Sequence, residues 1–269
     1  MRFALKLFYE GSGFHGFQRQ PNVSTIEEVL LASLKKCSYF KDFKQAGFSY
    51  ASRTDVGVSA LSQVVAFNSV QDPNIRRINS VLPEGIFFWA KAKVSDGFNP
   101  RRDLLFKVYR YYEPYEGQDV KRINEALRRL EGEHNFKKLS KPEKNRGTVC
   151  CLDKINLNLK DDLLIYEFIG KSFLWKMIRK IVSLLKLIGS GLLETEVVDR
   201  ILDPQDNFDP KLKPAGAEGL VLYDIHYPFA FNEDNYSLKR IRDYLEAAEK
   251  SHRVKHYLNK DLLLRLICP

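Results

Sequence analysis

An acid two residues after an arginine stands out in Ala51-Ser52-Arg53-Thr54-Asp55-Val56-Gly57-Val58, a short polar loop between two runs rich in β-forming residues. A carboxylate in such a loop has two uses. It can accept hydrogen bonds from turn amides, or it can act as nucleophile or base on a bound substrate. A free carboxylate is ionised at neutral pH, and a nearby guanidinium favours that form. A second arginine, Arg179, falls inside an apolar helical stretch beside Phe173, Met177, Ile178 and Val182. Leaving a buried arginine unpaired costs roughly 3–5 kcal/mol, so this helix calls for an anion from elsewhere.

Other segments have compositions suited to a planar, anionic ligand. Tyr9 to Gln20 mixes glycines with aromatics and amides, Gln18 among them, a composition suited to close backbone approach and to stacking or hydrogen bonding with a base. Tyr109-Arg110-Tyr111 alternates within a strand-like run, so both tyrosines share one face and Arg110 takes the other. The segment Lys137 to Arg146 carries five Lys or Arg and reads as a surface loop; with Arg101, Arg102 and Lys176 it offers candidate contacts to a phosphate backbone. Of the five histidines only His252 and His256 stand at i, i+4, and no H-E-x-x-H, serine elbow or Walker pattern accompanies them. Metal hydrolysis, serine hydrolysis and P-loop chemistry are therefore unsupported.

The elements that must position these residues follow from patterning. The 269 residues are 44% hydrophobic and 29% charged, which excludes disorder and low complexity, and 43 Lys plus Arg against 34 Asp plus Glu give +9, a bias toward polyanionic partners. Phe3, Leu5 and Leu7 alternate with Arg2, Ala4 and Lys6, giving a first strand without the unbroken apolar core of a signal peptide. Ser24 and Glu27 have capping-box spacing before a helix with Ile26, Val29, Leu30 and Leu34 on one face. Strands near Ala46–Ala51, Leu61–Asn68 and Ile86–Val94 and a helix near Ile75–Val81 complete a β-α-β-β-α-β order. The second half repeats it: a strand from Leu104 to Glu113, a helix through Val120, Ile123, Leu127 and Leu130, and strands near Thr148–Leu159 and Leu163–Gly170. A Phe173–Ile188 helix, a short helix around Thr195–Leu202 and a strand over Gly219–Tyr227 finish it.

This order predicts an α+β protein of two tandem ferredoxin-like (split βαβ) halves, residues 1–97 and 98–227, whose antiparallel sheets flank a basic cleft. Residues 228–269 form a helical tail, read as two amphipathic helices: Leu238, Ile241, Leu245 and Ala248 mark the first, Leu262 to Ile267 the second. The Phe173–Ile188 stretch is too short and too charged to span a bilayer. Cys37, Cys150, Cys151 and Cys268 lack metal-site spacing, and adjacent Cys150 and Cys151 point opposite ways on a strand. A cytoplasmic, thiol-reduced protein with no membrane contact is the expectation.

Taken together the segments resemble the TruA family of tRNA pseudouridine synthases. The resemblance rests on Tyr9 to Gln20, Arg53 to Val58, Gln63 to Phe67, Asn79 to Pro83, Phe98 to Arg101, Tyr109 to Tyr111, Gly132 to Phe136, Phe173 to Val182 and Gly219-Leu220, in that order. It runs from about Arg2 to Tyr227. Ser52 stands where the family usually has Gly, Ser59 where many members have His, Phe17 where Trp is common and Ser183 where Gly is found. The resemblance implies isomerisation of uridine to pseudouridine in tRNA, at positions 38, 39 and/or 40 of the anticodon arm, by a homodimer that needs no metal and no small-molecule cofactor. It implies that Asp55 is the essential aspartate, acting on the ribose or the uracil ring, that Arg179 pairs with it, and that Arg53 enters the RNA as the base leaves the stack. Tyr109 would pack on the flipped uracil, with Gln18, Arg101 and Lys176 among the substrate contacts. Two other classes compete: a non-catalytic RNA-binding protein with two RRM-like sheets, and a sugar hydrolase, for which a second catalytic acid is missing.

Overall fold

The computed structural model describes residues 1–267, with side chains through residue 260 and at Leu262; Cys268 lies outside them. The first half of the chain supplies β1 (Arg2–Tyr9), α1 (Ile26–Lys36), α2 (Phe43–Ala46), β2 (Ser49–Tyr50), β3 (Ser59–Asn68), α3 (Ile75–Asn79) and β4 (Ile86–Val94). The second supplies β5 (Phe106–Pro114), α4 (Val120–Leu130), β6 (Gly132–Asn135), β7 (Val149–Leu152), β8 (Lys154–Lys160), β9 (Leu163–Gly170), α5 (Met177–Gly189), α6 (Val197–Leu202) and β10 (Leu220–His226). β11 (Asn232–Glu233) and α7 (Asn235–Ile267) follow.

The result is a mixed α+β protein. Its main sheet has nine strands in the order β11-β4-β1-β3-β10-β5-β9-β8, with β2 paired to β3, while β6 and β7 form a small second sheet. Pairing is antiparallel except at β3–β10, where Ser59 meets Val221 and Ala60 meets Leu222 in parallel. The strands of both halves therefore lie in one continuous sheet instead of two. Along α4, Ile123, Ala126, Leu127 and Leu130 are buried at helical spacing, and the Asp119 side chain caps its start by accepting from the amides of Lys121 and Arg122. α5 packs against α4 so closely that a Cβ on Gly189 would lie 2.8 Å from Ile123 Cδ1. On the other side of the sheet, α7 packs on β4, burying Ile241 with Phe8, Phe87 and Trp89.

Several local expectations need correction. Residues 43–46 are helical, because the Asp42 side chain caps the Lys44 amide and Gly47 closes the turn at φ +52°; strand structure begins only at Ser49. The Ser24/Glu27 capping box does not form: Thr25 is the N-cap without a side-chain cap bond, and Glu27 accepts from the Arg19 amide instead. The run expected from Thr148 to Leu159 is split at Asp153, its two parts joining different sheets. The tail is one helix, since no Gly or Pro interrupts residues 235–267. As alternation requires, Cys150 is buried and Cys151 exposed. Among the described residues no helix is long and apolar enough to cross a membrane.

Candidate active site

The loop after β2 is pinned from three sides before Asp55 is reached. The Ser52 amide donates to Gln63 Oε1 at 3.1 Å, and Gln63 Nε2 donates to the Ser52 carbonyl at 2.7 Å. Thr54 Oγ1 and the Tyr9 hydroxyl are 2.7 Å apart, and the Phe17 amide donates to the Thr54 carbonyl at 3.1 Å. Phe17 is itself buried between Tyr9 and Tyr50, at centroid separations of 5.9 and 4.7 Å. Gly11 brings the glycine-rich turn against this loop: a Cβ there would lie 2.3 Å from the Val58 carbonyl oxygen, a distance no side chain tolerates. Its amide donates to Ser59 Oγ at 3.0 Å, so Ser59 ties the two loops together.

Asp55 meets the helical arginine that the sequence left in want of an anion. Its Oδ2 accepts from Arg179 Nη1 at 3.0 Å and its Oδ1 from Trp175 Nε1 at 2.9 Å. Arg179 is fixed in turn by donation from Nε to the Ala215 carbonyl at 2.6 Å. The two side chains keep 15% (Arg179) and 23% (Asp55) of their surface exposed, so the pair is partly desolvated yet reachable from solvent. Arg179 stands in the first turn of α5, three residues after the N-cap Lys176, whose backbone is left-handed at φ 61°. That strain sits where the helix must turn sharply out of the Phe173–Lys176 segment, a placement common beside functional sites.

Tyr109 lies beside this pair, buried, with its ring edge-on to Phe173 at 5.0 Å and its hydroxyl 2.7 Å from Ser52 Oγ. Burial pushes its phenol up to about 12; the Ser52 hydrogen bond opposes the rise and the charge of Asp55 adds to it. Two residues back on the same strand face, Lys107 is buried and donates to the Ala51 carbonyl at 3.0 Å, with Ser52 Oγ at 3.4 Å. Its ammonium is pushed down to about 7, first by burial and then by the charges of Arg101 and Arg146. Sequence reasoning passed over Lys107, although its i, i+2 relation to Tyr109 on a strand carried the signal. It also gave no role to Trp175.

These groups surround an open cavity of about 460 Å³, within the roughly 300–1,000 Å³ range of small-molecule sites. The residues expected to act on or bind the substrate line it, namely Gln18, Arg53, Asp55, Arg101, Tyr109, Lys176 and Arg179, whereas Arg102 and the lysines of the basic loop do not. Arg53, however, turns to Glu143 at 3.8 Å and not to Asp55. The basic loop is less free than its composition suggests. Lys138 donates to the carbonyls of Arg200, Asp203 and Asp206, and Lys141 lies over the Trp175 ring at 4.0 Å.

A carboxylate held by an arginine and an indole, at the edge of a cavity walled by a tyrosine and several cations, is a site built for a planar ligand bearing negative charge. A family profile described as tRNA pseudouridine synthase matches residues 126–228. The tRNA pseudouridine synthase A of Methanosarcina mazei is 39% identical over 262 residues, covering 96% of this chain and 95% of that one. That of Pyrococcus furiosus is 40% identical over 269 residues, covering 98% of each. Among solved structures, an archaeal box H/ACA sRNP Nop10–Cbf5 complex aligns at 14% identity over 69% of this chain and 43% of that one, with a TM-score of 0.34, a likeness too slight to argue from. The chain belongs to the tRNA pseudouridine synthase A family, and the enzymes of that family are isomerases.

Proposed function

We propose that this protein converts uridine to pseudouridine in tRNA, with Asp55 as the catalytic carboxylate. The carrying observation is the position of Asp55: both of its oxygens are held, by Arg179 and Trp175, at a cavity whose wall includes Tyr109. In the reaction the bond from C1′ to N1 breaks, the base turns, a bond from C1′ to C5 forms, C5 gives up its proton, and N1 takes one up. Atoms and oxidation level are conserved, so neither a redox partner nor an energy source enters the balance. Asp55 supplies its electron pair to the bound nucleotide, at the ribose or at the uracil ring. Arg179 keeps the carboxylate aimed, and its bond to the Ala215 carbonyl keeps the guanidinium from following the substrate.

Reaching the site requires the uridine to leave the stack, at a cost of a few kcal/mol. Tyr109 is the surface on which the base settles, and Arg53 at the rim occupies the gap left in the RNA. Gln18, Arg101 and Lys176 contact the nucleotide and its backbone. The family resemblance directs this reading to uridines 38, 39 and/or 40, presented to a cytoplasmic homodimer that recognises the anticodon arm by shape and charge. The strand orders β4-β1-β3-β2 and β10-β5-β9-β8 support reading residues 1–97 and 98–227 as two ferredoxin-like halves, with residues 228–269 as an extension. The test is incubation with an unmodified tRNA transcript and detection of carbodiimide-reactive pseudouridine. Asp55→Ala should abolish the product while tRNA affinity stays within a few-fold; product at the wild-type rate would remove Asp55 from the mechanism.

A further inference from the structure

The cavity is short of negative charge. Arg53, Arg101, Lys107, Arg146, Lys171, Lys176 and Arg179 line it against two carboxylates, Asp55 and Glu143, and Asp55 is already engaged by Arg179. Glu143 sits on the loop between β6 and β7 and divides itself between two arginines: Oε2 accepts from Arg146 Nη1 at 2.7 Å, and Oε1 lies 3.8 Å from Arg53 Nη1. Arg146 is also anchored, donating from Nη2 to the Phe173 carbonyl at 2.7 Å. Arg101 completes the group, and no carboxylate lies within ion-pair distance of it among the described residues. Partial burial, then the charges of Arg53 and Arg146, hold its guanidinium below the ordinary arginine range. Two guanidinium groups thus share one carboxylate carried on a surface loop, and a third, Arg101, is close enough to feel their charge but pairs with none. Planar guanidinium forks bind phosphate oxygens in pairs, a geometry that a single carboxylate divided among them does not satisfy.

We propose that Arg101 and Arg146, with Arg53 at the rim, form a seat for one phosphodiester of the RNA, and that Glu143 fills it in the free protein as an exchangeable internal anion. The inference rests on the RNA-directed reading of the same cavity and adds a device to it. An incoming phosphate takes over Arg146 and Arg101, Glu143 moves out with its loop, and Arg53 is released toward the RNA. Glu143 keeps the arginines apart and ordered while the cavity is empty, and it imposes a toll on every binding event. Because the displaced carboxylate stays nearby, the wild-type protein neutralises less RNA charge than its arginines alone would.

The experiment measures tRNA affinity across a salt series for wild type, Glu143→Gln and Glu194→Gln. The last removes the same charge from a glutamate paired with Arg122 away from the cavity, so it reports the generic effect of net charge. Glu143→Gln should bind at least threefold more tightly than Glu194→Gln, and its log–log salt slope should steepen by about 0.7 to 0.9, the share of one further neutralised phosphate. Adding Arg146→Gln to Glu143→Gln should erase the gain. Equal behaviour of the two glutamine variants, weaker binding by Glu143→Gln, or a gain that survives Arg146→Gln would each overturn the seat. If wild type binds tRNA but makes no pseudouridine, the enzymatic reading fails while the binding series still judges the seat.

Discussion

Replacing Lys107 by methionine tests the electrostatics of the site through stability. The methionine keeps most of the length and removes the charge. Burial and the neighbouring arginines bring the ammonium from its ordinary 10.5 to about 7. A fall of that size corresponds to about 5 kcal/mol by which folding disfavours the charged form, at about 1.36 kcal/mol per pH unit. The sign follows from proton counting. Between about pH 7 and 10.5 the unfolded chain holds a proton that the folded protein has released, so Lys107 makes stability rise with pH there, by up to about 1.4 kcal/mol per unit. Below about 7 both states are protonated and the penalty is constant. The variant leaves the Ala51 carbonyl and Ser52 Oγ without this donor, which costs about 1–3 kcal/mol whatever the pH. Urea unfolding of both proteins from about pH 6 to 9.5 reads both effects: the slope reports the proton, and the offset below about pH 7 reports the lost hydrogen bonds set against the penalty of burying the charge. Wild type should gain roughly 2–3 kcal/mol on the variant between about pH 7.5 and 9.5. Parallel pH profiles would show that Lys107 titrates near its ordinary value, and the account of a cation-crowded, desolvated wall would fail.

Two further substitutions probe the catalytic arrangement. Arg179→Lys keeps the charge but cannot reproduce simultaneous donation to Asp55 and Ala215; losing one charge-assisted bond costs about 1.5–3 kcal/mol, so kcat/KM for pseudouridine formation should fall roughly ten- to hundredfold. A wild-type rate would mean that the second anchor does not aim the carboxylate. Tyr109→Phe keeps the ring against Phe173, whereas Tyr109→Leu removes the platform, so Leu should be far the slower; equal losses in single-turnover assays would assign the essential role to the hydroxyl.

What the sequence reveals of this molecule divides by the range of the interactions involved. α4 and β4 carry patterns long enough for periodicity to locate them to within a residue or two. Arg179 announced a missing anion because an apolar helix cannot bury a guanidinium alone, and Asp55 is that anion. By contrast, the β-forming run from Ala46 to Ala51 begins too early, because Ala46 closes a short helix capped at Asp42 and ended by a left-handed Gly47. The continuity of the sheet depends on two residue pairs between β3 and β10, which no local pattern encodes. Lys107 hides for a different reason: a lysine in a strand reads as a solvent-facing charge until the opposite wall, here Ala51 and Ser52, is known. Glu143 hides within a basic loop, where composition speaks for the cations around it.

The parallel seam between β3 and β10 gives the site a dependence on time as well as place. Asp55 precedes β3, and Tyr109, Trp175 and Arg179 are made between β3 and β10, the last two 120 and 124 positions beyond Asp55. On the ribosome the loop bearing Asp55 emerges long before its partners exist. The carboxylate has neither of its side-chain partners until α5 and the segment before it have been made. A chain that stops before Arg179 lacks the partner that holds this carboxylate in the folded protein.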